Sequence, residues 1–173
     1  MSSIAGRPPL RIGQGIDFHR FSEEPDRPLV LGGVVVIGPG ARGLDGHSDA
    51  DAVAHALTDA ILGAARLGDI GTHFPPGDPA WAGADSMDLL SRAVALAAAA
   101  GWELENADCT VMAEAPRLAP FVVPMMARLE EVAGAPVSVK ATTTEGMGAI
   151  GRGEGIGAIA IVLLAASGDG GGR

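Results

Sequence analysis

Residues 10–18, LRIGQGIDF, form a largely apolar run that reads as a strand, and the extended reading carries on to His19. Side chains alternate along a strand, so Asp17 and His19, two apart, point to one face. A carboxylate beside an imidazole suits zinc or a similar divalent metal. Further strands are expected over 29–37, 106–113, 137–141 and 157–164. Gly32-Gly33 inside the second marks a bulge or a tight hairpin. Helical spacing runs over 51–67, with Ser48 or Asp49 as cap and Gly68 at the end. Two more helices are expected over 86–100 and from about Pro120 to Gly134. Strands and helices mix without strict alternation, which gives an α+β fold rather than a doubly wound one. Residues 10–166 read as a single domain, with 1–9 and 167–173 as flexible ends.

The chain has 173 residues, of which 47% are hydrophobic and only 3% aromatic, with no tyrosine. The core is therefore built from Ala, Val, Leu, Ile and Met. Small side chains permit close backbone approach but bury little area each, which favours adding buried surface by oligomer formation. The net charge of −9, with no basic run, argues against nucleic acid or an anionic membrane as partner. Local donors and metal ions still allow a small anionic substrate. Cys109 is the only cysteine, so no internal disulfide forms, in keeping with a reducing cytoplasm. Residues 1–9 hold no apolar segment of the signal-peptide kind. The apolar stretches 93–100 and 156–166 are too short to span a bilayer.

All four histidines and the single lysine fall in four short stretches: GIDFHRF, GHSDADAVAHALTDA, LGDIGTHFP and KATTTEGMGAIGRGEG. His55 lies inside the first expected helix, one turn after Asp51 and one turn before Asp59. His47 lies in the glycine-flanked segment before it. Asp17, His19 and one further histidine would give three ligands and leave a fourth tetrahedral position open, the pattern of catalytic zinc. Spacing alone does not choose between His47 and His55. Asp51 or Asp59 is placed to hold the other ring nitrogen of His55. In KATTTE, Lys140, the threonines and the glycine-rich turn suit an anion. Glu145 offers a hard oxygen for Mg²⁺, and Arg152 a planar fork for phosphate. The plainer reading of this segment is a Thr-rich strand running into a glycine loop; it is no Walker A motif. Asp69 in LGDIGTHFP reads first as a loop cap.

Taken together, and in this order, RIGQGIDFHRF, LGGV, GHSDADAVAHALTDAILGAARLGDIGTHFP, GADS, KATTTE and GRGEGI resemble the 2-C-methyl-D-erythritol 2,4-cyclodiphosphate synthase family across nearly the whole chain. The resemblance implies a mixed β-sheet with helices packed on one face, of chorismate-mutase-like (cyclodiphosphate-synthase-like) architecture, assembling as a homotrimer with active sites between subunits. It implies a metal-dependent phosphorus–oxygen lyase of the non-mevalonate isoprenoid pathway. Its substrate would be a cytidine diphosphate ester of methylerythritol carrying a 2-phosphate, cyclised with release of CMP. Asp17, His19 and His55 match zinc ligands, which leaves His47 outside the metal set. His47, with Ser48, matches a residue that contacts substrate and supports the transition state, and Thr143 matches a second such stabiliser. Glu145 matches the ligand of a Mg²⁺ (or Mn²⁺) bridging the diphosphate. Asp69, Ile70 and Gly71 match one substrate-contacting loop; Phe74, Pro75, Pro76, Gly77 and Asp78 match another. Ala113, Glu114, Ala115, Pro116, Arg117, Leu118 and Ala119 match a cytidine pocket, and Thr142, Thr143, Thr144 and Glu145 line the diphosphate. Phe18, Ala149 and Arg152 complete the implied substrate contacts, together with Asp17 and His19. The chain departs from the usual pattern at Pro76, Gly146, Ala149 and Arg117, none of them a zinc ligand.

Overall fold

In the computed structural model, which describes residues 8–167, the opening strand β1 (Leu10–Arg20) runs two residues past its expected end and takes in His19. The second expected strand is a hairpin: β2 (Leu29–Leu31) and β3 (Val34–Val36) flank Gly32-Gly33, both at positive φ. Helix α1 (Ala52–Ala65) follows. After the single-turn helix α2 (Ile70–His73) comes α3 (Ser86–Ala99), then β4 (Trp102–Met112), α4 (Val122–Ala133) and β5 (Val137–Thr142). A second single turn, α5 (Gly148–Gly151), leads into β6 (Gly155–Ala166). The four long strands form one sheet in the order β1-β6-β4-β5, with β4 and β5 parallel and the other pairs antiparallel. The result is a mixed sheet in an α+β fold.

Two end signals differ from expectation. The cap of α1 is Asp51, not Ser48 or Asp49: its Oδ1 accepts from the N–H groups of Val53 (3.0 Å) and Ala54 (3.1 Å). The same carboxylate accepts from Gly32 (2.8 Å) and Gly33 (2.6 Å), so the hairpin and the helix start share one clasp. The left-handed residue that ends the helix is Arg66 (φ 62°) rather than Gly68. Of the expected flexible ends, 1–7 and 168–173 lie outside the described residues. Pro9 and Ser167 are tied down, through Ala166 N–H to Pro9 O and Ser167 N–H to Gly101 O, both 2.9 Å.

Helices cover one face of the sheet. Ala107, Cys109 and Val111 of β4, Val137 and Val139 of β5, and Ala158, Ala160 and Val162 of β6 are buried with Leu57, Ile61, Leu90, Met125 and Leu129 from the helices. Burying each of the large side chains contributes roughly 1.5–3 kcal/mol. Helix α1 lies at the centre and is apolar nearly all round, as a buried helix should be. Its carbonyls touch β1 closely because Gly13 and Gly15 have no side chain. A Cβ on Gly15 would stand 1.9 Å from Ala56 O, and one on Gly13 2.0 Å from Ala60 O. Among the described residues the opposite face of the sheet carries no helix, and it exposes Leu10, Ile12, Ile16 and Phe18 from β1 and Ile161 from β6.

Candidate metal centre and active site

The close approach of β1 and α1 brings three donor side chains together. Asp17 and His19 come from the end of β1, and His55 comes from the first turn of α1. Asp17 Oδ2 lies 2.8 Å from His19 Nε2 and 3.1 Å from His55 Nδ1, and the two ring nitrogens are 3.2 Å apart. Three donors about 2.0–2.2 Å from a tetrahedral zinc would themselves stand about 3.3 Å apart, so this near-equilateral triangle fits a common cation. Among the described residues it is the one set of His, Cys, Asp or Glu so gathered. His19 Nδ1 lies 2.7 Å from the Asp45 carbonyl. A carbonyl can only accept, so Nδ1 carries the proton and Nε2 keeps its lone pair for a metal.

The electrostatics agree with a cation site. Burial pushes the Asp17 carboxyl upward, but hydrogen bonds and charge from His19 and His55 outweigh it and hold the carboxyl well below its usual range. Burial works against a charged His19, yet the Asp17 contact and the Asp45 carbonyl raise it above its ordinary value.

The triangle opens into a cavity of about 240 Å³. His47, Ser48, Ile70, Gly71, Phe74 and Pro76 line it, as do Trp81 and Leu89, which the sequence reading missed. One wall is thus apolar and the metal-facing wall polar. His47 stands outside the donor triangle; its Nε2 lies 3.4 Å from Asp78 O. Arg27 pins the loop that carries His47: its guanidinium donates to Gly46 O (2.9 Å) and Ser48 O (2.6 Å). Asp69 caps α2, accepting from Thr72 N (2.8 Å) and Oγ1 (2.7 Å), as the loop-cap reading has it. His73 is engaged with Leu67 O at 2.8 Å.

Asp51 and Asp59 do not support His55. Asp51 is consumed by four backbone N–H groups, and Asp59 accepts from Ile70 N at 2.7 Å. Two serines stand there instead, with Oγ of Ser86 at 2.8 Å and of Ser48 at 3.2 Å from His55 Nε2.

The remaining expected residues lie elsewhere on the chain. Neither the 113–119 segment nor Thr142, Thr143, Thr144 and Glu145 line the metal cavity. The two segments meet at Ala113, whose N–H donates to Thr142 O at 3.0 Å, and at Glu114. Glu114 Oε1 accepts from Thr144 N (2.8 Å) and Oγ1 (3.0 Å) and from Gly146 N (3.4 Å), while Thr143 Oγ1 donates to Glu145 (2.9 Å). The Thr144 N–H holds the Glu114 carboxyl below its ordinary value. Glu145 sits at φ 54°, a left-handed conformation that non-glycine residues adopt at a cost. Phe18, Thr144 and Ala149 line a second depression of about 580 Å³, which His19 also borders. Lys140 lies outside the anion turn: it pairs with Asp108 of the neighbouring strand on the helix-free face. Arg152 pairs with Glu154 at 2.7 Å.

Residues 10–165 match the YgbB family. The chain belongs to that family. A 2-C-methyl-D-erythritol 2,4-cyclodiphosphate synthase from Symbiobacterium thermophilum is 58% identical over 90% of this chain and 99% of its own. The enzyme of that name from Alkalilimnicola ehrlichii is 54% identical over 92% and 97%. Among solved structures, the CDP-bound form of 2C-methyl-D-erythritol-2,4-cyclodiphosphate synthase superposes with a TM-score of 0.79 at 38% identity, covering 89% of this chain and 99% of that one. The bifunctional IspDF of Campylobacter jejuni gives 0.86 at 42% identity over 92% of this chain, which spans 43% of that longer chain.

Proposed function

We propose that the protein converts 4-diphosphocytidyl-2-C-methyl-D-erythritol 2-phosphate to 2-C-methyl-D-erythritol 2,4-cyclodiphosphate and releases CMP. The observation that carries this reading is the Asp17–His19–His55 triangle opening into a half-apolar cavity, in a chain of this family. The residues fit a divalent cation, with zinc favoured by two imidazoles and one carboxylate. A bound cation there supplies a Lewis acid and a template for phosphate oxygens. Glu145 is the proposed ligand of a second ion, Mg²⁺ or Mn²⁺, on the diphosphate.

The chain's own residues then have definite tasks. One oxygen of the 2-phosphate attacks the β-phosphorus, and the bond from that phosphorus to the oxygen of CMP breaks, so CMP leaves with the bridging oxygen. A phosphate monoester is largely deprotonated near neutral pH, so no strong base is required. His47 and Ser48 contact the substrate at the mouth, and Thr143 donates to the reacting phosphoryl group. Ile70, Phe74, Trp81 and Leu89 take the carbon skeleton and exclude water. Asp69, Pro75, Gly77 and Asp78 frame that side of the substrate, and residues 113–119 take the cytosine.

The metal cavity and the Thr142–Glu145 turn occupy different surfaces of one protomer, which supports assembly as a homotrimer in which one subunit's cavity meets a neighbour's turn. The bare apolar sheet face supplies a surface for that contact. Residues 10–166 would act as one domain, in the cytoplasm. No described helix is long and apolar enough to cross a membrane. Incubation with the cytidine diphosphate substrate, Zn²⁺ and Mg²⁺ tests the reading: CMP and a cyclic product should form together. No CMP release, or a product heavier by one water, would overturn it. The Glu145→Ala variant should keep its zinc and lose its Mg²⁺ dependence.

A further inference from the structure

We infer that Ser86, held by Asp49, is a positioning residue that fixes which nitrogen of His55 faces the metal. Ser86 closes the GADS segment and is the first residue of α3, locked there by Asp85, whose carboxylate accepts from Met87 N at 2.8 Å. It is fully buried. Its Oγ meets two groups, His55 Nε2 at 2.8 Å and Asp49 Oδ1 at short range. Asp49 Oδ2 accepts the Ser86 backbone N–H at 3.0 Å, so the carboxylate grips both ends of the residue.

Proton bookkeeping then gives a direction. A carboxylate can only accept, so the single hydroxyl proton of Ser86 points to Asp49. A lone pair of Oγ is what remains for His55, and Nε2 must therefore carry the imidazole proton. Nδ1 is left unprotonated, on the side where Asp17 and His19 converge. Ser48 Oγ, at 3.2 Å from Nε2 and accepting from Ala50 N at 3.2 Å, is a second and longer acceptor. Asp45 plays the matching part for His19 through a backbone carbonyl, which no substitution removes. The Asp49–Ser86 pair is the side-chain-coded half of the arrangement. Metal ligands held in this way lose affinity when their outer partner is removed.

The inference rests on the metal reading of Asp17, His19 and His55. The test is zinc affinity by chelator competition, with the visible spectrum of the Co²⁺ form, in Ser86→Ala, Asp49→Asn and the double variant. Melting of each metal-free protein reports folding, and Asp49→Asn keeps the test decisive if Ser86→Ala does not fold. The expected result is about 10–100-fold weaker zinc binding in Ser86→Ala with an altered Co²⁺ spectrum. Asp49→Asn should also weaken binding, and the double variant should lose no more than Ser86→Ala, because both act through one hydrogen-bonded chain. Folded single variants with zinc affinity within about twofold of the unaltered protein, and an unchanged Co²⁺ spectrum, would overturn the inference alone. An unaltered protein that binds neither ion would overturn the metal reading beneath it as well.

Discussion

Replacing Gly15 by alanine should cost the proposed zinc centre its affinity before it costs the fold. The new Cβ would stand 1.9 Å from Ala56 O and 2.7 Å from Ala60 N, both backbone atoms that no rotamer change can move. Real Cβ atoms essentially never come within 3.0 Å of such a neighbour, so β1 and α1 must part by at least about 1.1 Å. Asp17 and His19 lie two and four residues along the strand, and His55 immediately precedes Ala56. The parting therefore carries the His55 ring nitrogen off the triangle by several times the roughly 0.2 Å tolerance of a metal–ligand bond. Overpacking of this kind costs about 1–3 kcal/mol. At about 2–4 °C of melting temperature for each kcal/mol, the metal-free variant should remain folded at room temperature. The assay is zinc content after dialysis, followed by chelator competition. Affinity should fall beyond the roughly 10–100-fold loss that outer-partner changes bring. A folded Gly15→Ala protein that keeps one zinc per chain at the original affinity would refute the claim that this contact sets the ligand spacing.

Other tests address separate parts of the site. Arg27→Gln should free the Gly46–Ser48 loop and lower kcat by up to about 100-fold while zinc content stays unchanged, because His47 shifts and the ligands do not. In the metal-free protein, proton NMR should show His19 titrating above pH 6.5. Because the folded value is raised, its stabilising contribution is complete below pH 6.5 and is lost as pH rises from there through the higher folded value. Asp17→Asn should bring the midpoint down, and a midpoint at or below 6.5 in the unaltered protein would contradict the Asp17–His19 pairing. Burial first, and then the Asp108 charge, push the Cys109 thiol up to about 12. At pH 8 only about one molecule in ten thousand carries a thiolate, so native protein should resist alkylation that unfolded protein undergoes quickly. As a group raised on folding, Cys109 contributes stability that persists through neutral pH and is lost only as pH climbs toward 12.

Local patterns in the chain carried much of this. Asp17 and His19 were legible as a same-face pair because strand alternation is a two-residue rule. Gly32-Gly33 marked a bulge or a tight hairpin, of which the structure takes the hairpin, and the small side chains of the core pointed to close backbone approach. The third member of the donor triangle was not legible from spacing, since choosing His55 over His47 needs the distance between β1 and α1. Two glycines set that distance, and nothing in their one-dimensional pattern says which helix will approach. The support of His55 was misread for a similar reason. Asp51 and Asp59 lie one turn away along the helix, but Asp51 is drawn to the hairpin and Asp59 to Ile70. Ser86 comes from 31 residues downstream, a contact that no local rule reaches. Trp81 and Leu89 were missed for the same cause, as their part in the cavity is purely tertiary. Lys140 stood out by scarcity alone, and scarcity did not place it near the anion turn.

The Asp51 clasp also acts as an indexing pin for the imidazole. Successive residues of a helix are turned by about 100°, so sliding the start of α1 by one position against the hairpin would swing His55 to another side of the rod. Insertions or deletions between 51 and 55 should therefore blind the centre even where the helix still forms. Length changes in the exposed bend near Gly38–Gly40, upstream of the pin, should leave its angular setting untouched.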